Sequence, residues 1–150
     1  MAFDVQFYQL LSSPLERALP KLLEKAVAAD YRVLVLNESE PRLSQLNDLL
    51  WTYDPNSFLP HGMVKDGRPN DQPVLLSVDN NPENNASLVI VTDGRDIPSD
   101  APYARLLDVF DGQNDTATQS ARERWTRYKA AGCNVSYLKQ TATGGWEKVA

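Results

Sequence analysis

The chain is poorest in the residues that usually carry chemistry. It has one histidine, His61, and one cysteine, Cys133, in 150 residues. A lone cysteine closes no internal disulfide, which fits a reducing compartment, and a cytoplasmic location is expected. One His and one Cys far apart in sequence provide no ligand pair at zinc-site spacing, so no metal is expected. The seven glycines form neither GxGxxG after a strand nor GxxxxGK[ST]. The turn after the first candidate strand reads LLSSPLE, where close backbone approach to a pyrophosphate requires glycine. No nucleotide or other cofactor is expected. No window approaches the roughly 20 apolar residues of a membrane span. The opening MAFDVQFYQLLSSP, with Asp4 and no basic leader, does not read as a secretory signal. Fifteen basic residues face twenty acidic ones, a net charge of -5, which opposes general nucleic-acid binding.

What is present reads as alternating strands and helices in one domain, residues 1–150. FDVQFYQL (3–10) alternates apolar and polar residues as a half-buried strand does. The stretch after Pro14 has Leu15, Leu19, Leu22, Leu23 and Ala26 at helical spacing, with Pro20 set to kink the helix or delay its start. YRVLVLN (31–37) is a nearly continuous apolar run, the mark of a strand covered on both faces. Ser39 as N-cap and Pro41 in the first turn introduce a helix with Leu43, Leu46, Leu49 and Leu50 on one stripe. A turn-rich segment, 54–71, precedes strands in PVLLSV (73–78) and SLVIVTD (87–93). YARLLDVFDG (103–112) suits a strand better than a helix. A last helix from Asn114 or Asp115 to Gly132 leads into a final strand, CNVSYLK, and a polar tail holding Trp146. The order predicts a three-layer α/β/α, Rossmann-like fold with a mainly parallel sheet flanked by helices.

Two stretches carry candidate sites. In SFLPHG (57–62), His61 beside Ser57 is a possible general base and nucleophile. No GxSxG elbow or triad accompanies them, and Pro60 and Gly62 favour a shaped loop. Phe58 and Leu59, with Trp51 at the end of the preceding helix, either enter the core or form an apolar partner patch. In ARERWTRYK (121–129), Arg122, Trp125 or Thr126, and Lys129 share a helix face. Guanidinium, indole and ammonium in one stripe suit a peptide with carboxylates and an aromatic ring.

FYQL, RVLVL, LNDLLWTYDPNSFLPHG, QPVLL, LLDVFDG, ARERWTRYKAAG and GGWE together resemble the chi subunit family of bacterial DNA polymerase III holoenzyme, across almost the whole chain. The resemblance implies a non-enzymatic, clamp-loader-associated adaptor in DNA replication. It implies two partners. The psi subunit would meet Trp51, Phe58 and Pro60, with Leu59 and His61 as neighbours. The acidic, phenylalanine-ended C-terminal tail of single-stranded DNA-binding protein would meet Arg122 and Trp125, with Tyr128 and Lys129 beside them. Little direct nucleic-acid binding and no membrane association are implied. Thr126 stands where the family carries a basic residue, leaving one charge fewer, which Arg124, Arg127 or Lys129 would make good. The competing reading is a hydrolase or nucleotidyl enzyme using His61 at the base of a concave pocket.

Overall fold

The computed structural model describes residues 3–54 and 59–150, Lys65 without its side chain. Its centre is an eight-stranded sheet in the order β3-β4-β2-β5-β6-β1-β7-β8. The strands are β1 (Asp4–Leu10), β2 (Val33–Leu36), β3 (His61–Met63), β4 (Val74–Ser77), β5 (Leu88–Val91), β6 (Arg105–Asp111), β7 (Asn134–Gln140) and β8 (Trp146–Lys148). All neighbours run parallel except β7 and β8. Helices α1 (Leu15–Ala28), α2 (Glu40–Thr52) and α3 (Asp115–Ala130) complete the three layers.

Strand alternation divides the core in two. Val33 and Val35 of β2 pack with the leucines of α1 and α2. Leu34 and Leu36 point the other way and join Val5, Phe7, Leu106 and α3. All four residues of β2, β4 and β5 are therefore buried, as the apolar runs predict. Between β4 and β6 no helix intervenes. Ala86, Ile97 and Tyr103, from the loops on either side of β5, cover that part of the α3 face instead.

The predicted helices form with their predicted caps: Ser39 Oγ accepts from Arg42 N at 3.3 Å and Asn114 Oδ1 from Ala117 N at 2.9 Å. Pro20 lies inside α1 and does not delay it, because the helix already begins at Leu15. Two strands were not anticipated. β3 is three residues in a turn-rich segment, too short to show a period, yet it pairs with β4. β8 forms because Gly144, at φ +89°, turns the tail back and Thr141 N–H donates to Gly145 O at 2.8 Å. Left-handed backbone of this kind favours glycine.

Adjacent strands β1 and β6 send the chain to opposite faces, β1 to α1 and β6 to α3. Open parallel sheets usually bind ligands in such a crevice. The pairing also separates the two sequence-predicted sites widely: SFLPHG leads into the β3 edge, while ARERWTRYK lies over the half of the sheet that ends at β8.

Candidate functional site

α3 is a mostly polar helix whose buried residues are Ala121, Arg124 and Tyr128. Two of these are directional anchors. Arg124, 3% exposed, grips Asp108 of β6 bidentately, Nε to Oδ2 at 2.6 Å and Nη2 to Oδ1 at 3.0 Å. Burial pushes the Asp108 carboxyl up against the pull of that guanidinium. Tyr128, also 3% exposed, accepts the Ile97 N–H on its hydroxyl at 2.9 Å.

These anchors fix the rotation of α3, and one flank of the helix meets the sheet in an open groove of roughly 470 Å³. Arg122, Trp125 and Thr126 form one wall, and Gln9, Tyr137, Lys139 and Val149 form the floor and far side. Trp125 is half-buried, tilted against Phe7 and edge-on to Tyr137, both at 6.1 Å between ring centres. Lys129 Nζ stands 5.6 Å from the Trp125 ring centre, a cation–π arrangement. The Tyr137 hydroxyl donates to Gln9 Oε1 at 2.7 Å, and burial raises its phenol. Arg122, Lys129 and Lys139 are in no ion pair among the described residues.

The groove corrects part of the sequence reading. Tyr128 is an anchor in the core and leaves the set of groove contacts. Arg124 cannot replace the charge absent at Thr126, because it is buried on Asp108. Arg127 is drawn outward to Asp96 at 3.0 Å. Lys139, Tyr137 and Gln9 were not foreseen. The period-two pattern of the last strand places Tyr137 and Lys139 on one face, but only the strand order shows that this face meets α3.

At the β3 end, Trp51 closes α2 and is 57% exposed, its ring 4.4 Å from that of His61. His61 itself is 4% exposed. Its Nδ1 lies 2.7 Å from Leu59 O and its Nε2 3.1 Å from Asn47 O. Whichever nitrogen carries the proton, each faces a backbone carbonyl, and Trp51 covers the ring. This is not a general base at the bottom of a pocket. Leu59 is buried in the first core, so it and His61 support the surface from below, while Trp51 and half-buried Pro60 belong to it. Phe58 and Ser57 lie outside the described residues.

The crevice between β1 and β6, about 450 Å³, is lined by Ser12, Ser13, Glu16, Arg42, Thr92, Asp111 and neighbours. Behind it, in the β1–α1 turn, the N–H groups of Leu11, Ser12 and Ser13 converge on one acceptor, Gln140 Oε1, at 2.9, 2.9 and 3.1 Å. Gln140 Nε2 donates to Ser13 Oγ at 2.7 Å. Among the described residues no cluster of His, Cys, Asp and Glu is arranged to hold a metal, and no helix is long and apolar enough to cross a membrane.

Comparison with known proteins matches residues 3–136 to the family described as DNA polymerase III chi subunit, HolC. The chain is 29% identical over 94 residues to a probable DNA polymerase III subunit chi of Rickettsia prowazekii, an alignment spanning 63% of this chain and 57% of that protein. It is 25% identical over 140 residues to the DNA polymerase III subunit chi of Haemophilus influenzae, covering 91% of this chain and 96% of the relative. With the Escherichia coli K12 subunit chi, identity is 26% over 106 residues, 70% of this chain and 71% of the relative.

Proposed function

The chain belongs to the DNA polymerase III chi subunit family, and on that premise we propose that it is a non-enzymatic adaptor whose α3 groove takes the acidic, phenylalanine-ended tail of single-stranded DNA-binding protein. The observation that carries this reading is the joining of Arg122 and Trp125 in one open groove. A terminal carboxylate needs a fixed cationic fork, which Arg122 supplies. A phenyl ring needs an apolar wall, which Trp125 and Tyr137 supply together. Acidic residues upstream need only positive potential, and Lys129 and Lys139 provide it on a protein that is otherwise acidic. Lys139 takes the place of the charge absent at Thr126; its cross-strand neighbour Glu147 tempers that charge.

The test is calorimetric titration of a synthetic acidic peptide ending in phenylalanine into wild type, Arg122→Ala and Trp125→Ala. Each variant is expected to lose on the order of 2 kcal/mol, as central contacts do. Wild-type affinity in Arg122→Ala, or indifference to removal of the terminal phenylalanine, overturns the assignment.

The second half of the proposal is that the Trp51 surface pairs with the psi subunit, tying the chain to the clamp loader in the cytoplasm. Exposed Trp51 on a buried imidazole is the support for it: a large aromatic on a fixed base is the residue type that dominates interface energies.

A further inference from the structure

The net charge conceals how the basic residues are distributed. Of fifteen, six are ion-paired among the described residues, and Arg32 donates to the backbone carbonyls of Asn70, Gln72 and Asn84. Three more belong to the α3 groove. Another four, Arg17, Lys21, Lys25 and Lys148, are exposed and in no ion pair among the described residues. They lie on the reverse, α1 face of the same half of the sheet.

Arg17, Lys21 and Lys25 recur every four residues along α1, so they share a stripe with about 6 Å of rise between successive charges. The acids of α1 are engaged from α2 and the residue after it: Glu16 by Arg42, and Glu24 by the Tyr53 hydroxyl. Arg17 and Lys21 open onto a small cavity, about 180 Å³, whose other walls include Ser12, Ser13, Thr143 and Trp146. Trp146 is half-buried and held edge-on against Tyr8, ring centres 4.8 Å apart. Lys148, two residues further along β8, emerges on the same face by strand alternation.

We propose that this track is a contact surface for single-stranded DNA, phosphates running along Arg17, Lys21, Lys25 and Lys148 with a base against Trp146. Regularly spaced cations beside an aromatic wall are how sequence-independent single-strand binders hold the backbone and stack a base. The Ser13 hydroxyl, whose oxygen accepts from Gln140 Nε2, keeps its proton for a phosphate oxygen, whereas Ser12 Oγ already donates to Thr141 O. A run of acidic side chains alone would use the cations and leave the indole unoccupied, and the phenylalanine-ended tail is assigned to the α3 groove. The overall negative charge keeps the contact weak and strongly salt-dependent, which agrees with the composition. The surface is separate from the tail groove and does not depend on that assignment.

The experiment is fluorescence anisotropy of a labelled oligothymidylate with the full chain, at low and moderate salt. Binding is expected at low salt and is lost as salt rises. Arg17→Glu/Lys21→Glu is expected to reduce affinity about tenfold or more while keeping the wild-type melting curve and tail-peptide titration. Saturating tail peptide is expected to leave the oligonucleotide bound. No binding by wild type at low salt, or wild-type affinity in the double variant, overturns the proposal. Displacement by the tail peptide moves the DNA to the α3 groove and overturns it too, as does a polyglutamate of equal length that binds as tightly as the oligonucleotide.

Discussion

At the β3 end an exposed indole rests on a buried imidazole whose two nitrogens each face a backbone carbonyl, while at the other end a half-buried indole belongs to a helix held down by an ion pair and a tyrosine hydroxyl. The contact that Trp51 offers is apolar, and its geometry is set by chain already fixed in the sheet. The contact that Trp125 offers is surrounded by cations, and its geometry depends on the setting of one polar helix. A partner of the first surface gains mainly from desolvation, which salt hardly touches. A partner of the second gains from charge, which salt screens within about 8–10 Å at ordinary ionic strength.

The strongest way to break this contrast is to remove the anchor under the groove. Arg124→Ala leaves the Asp108 carboxyl without its partner in the core, and is expected to cost about 3–5 kcal/mol in denaturant unfolding. The double variant Arg124→Met/Asp108→Leu, which removes both charges and keeps apolar volume, is expected to recover most of that. A neutral single variant would mean that α3 is seated by something else. At the opposite end, Trp51→Ala is expected to weaken psi-subunit binding by about 2 kcal/mol in calorimetry and to change the melting temperature little, because most of the side chain is already in water. A clear fall in melting temperature would make Trp51 structural.

Salt sharpens the contrast without mutation. Raising ionic strength from about 0.05 to 0.5 M is expected to weaken tail-peptide binding several-fold and psi binding by less than about twofold. Equal sensitivity would erase the distinction between the two surfaces. The smallest effect is expected from Lys129→Ala, under about 1 kcal/mol in the peptide titration, since its ammonium is exposed over the rim of the Trp125 ring. A loss as large as that of Arg122→Ala would put Lys129 at the centre of the groove.

Much of this fold could be read from residue order because its central strands are buried on both faces. Val33–Leu36, Val74–Ser77 and Leu88–Val91 admit no alternation, and three helices announce themselves by caps and stripes. β3 and β8 escaped because each is three residues long and exists through its neighbour: His61–Met63 through β4, and Trp146–Lys148 through the Gly144 turn. The groove was half legible. Helical spacing brought Arg122, Trp125 and Lys129 together, but the same spacing could not say which flank of α3 was buried. Tyr128 and Arg124 therefore read as candidate contacts, although one holds a loop amide and the other a core carboxylate. Lys139 lies in the strand that follows α3 and reaches the groove only through the placing of β7 beside β1.

Gln140 gives the fold a property that the absence of glycine alone would not confer. The three amides of the β1–α1 turn already point inward at a single oxygen, as converging amides do toward a phosphate in nucleotide-binding proteins of this layout. Here the oxygen belongs to the chain itself. An incoming anion would have to displace an amide tethered to the end of β7, and would leave Ser13 Oγ without its donor. The turn thus carries its own intramolecular acceptor, held in place by the strand from which it projects.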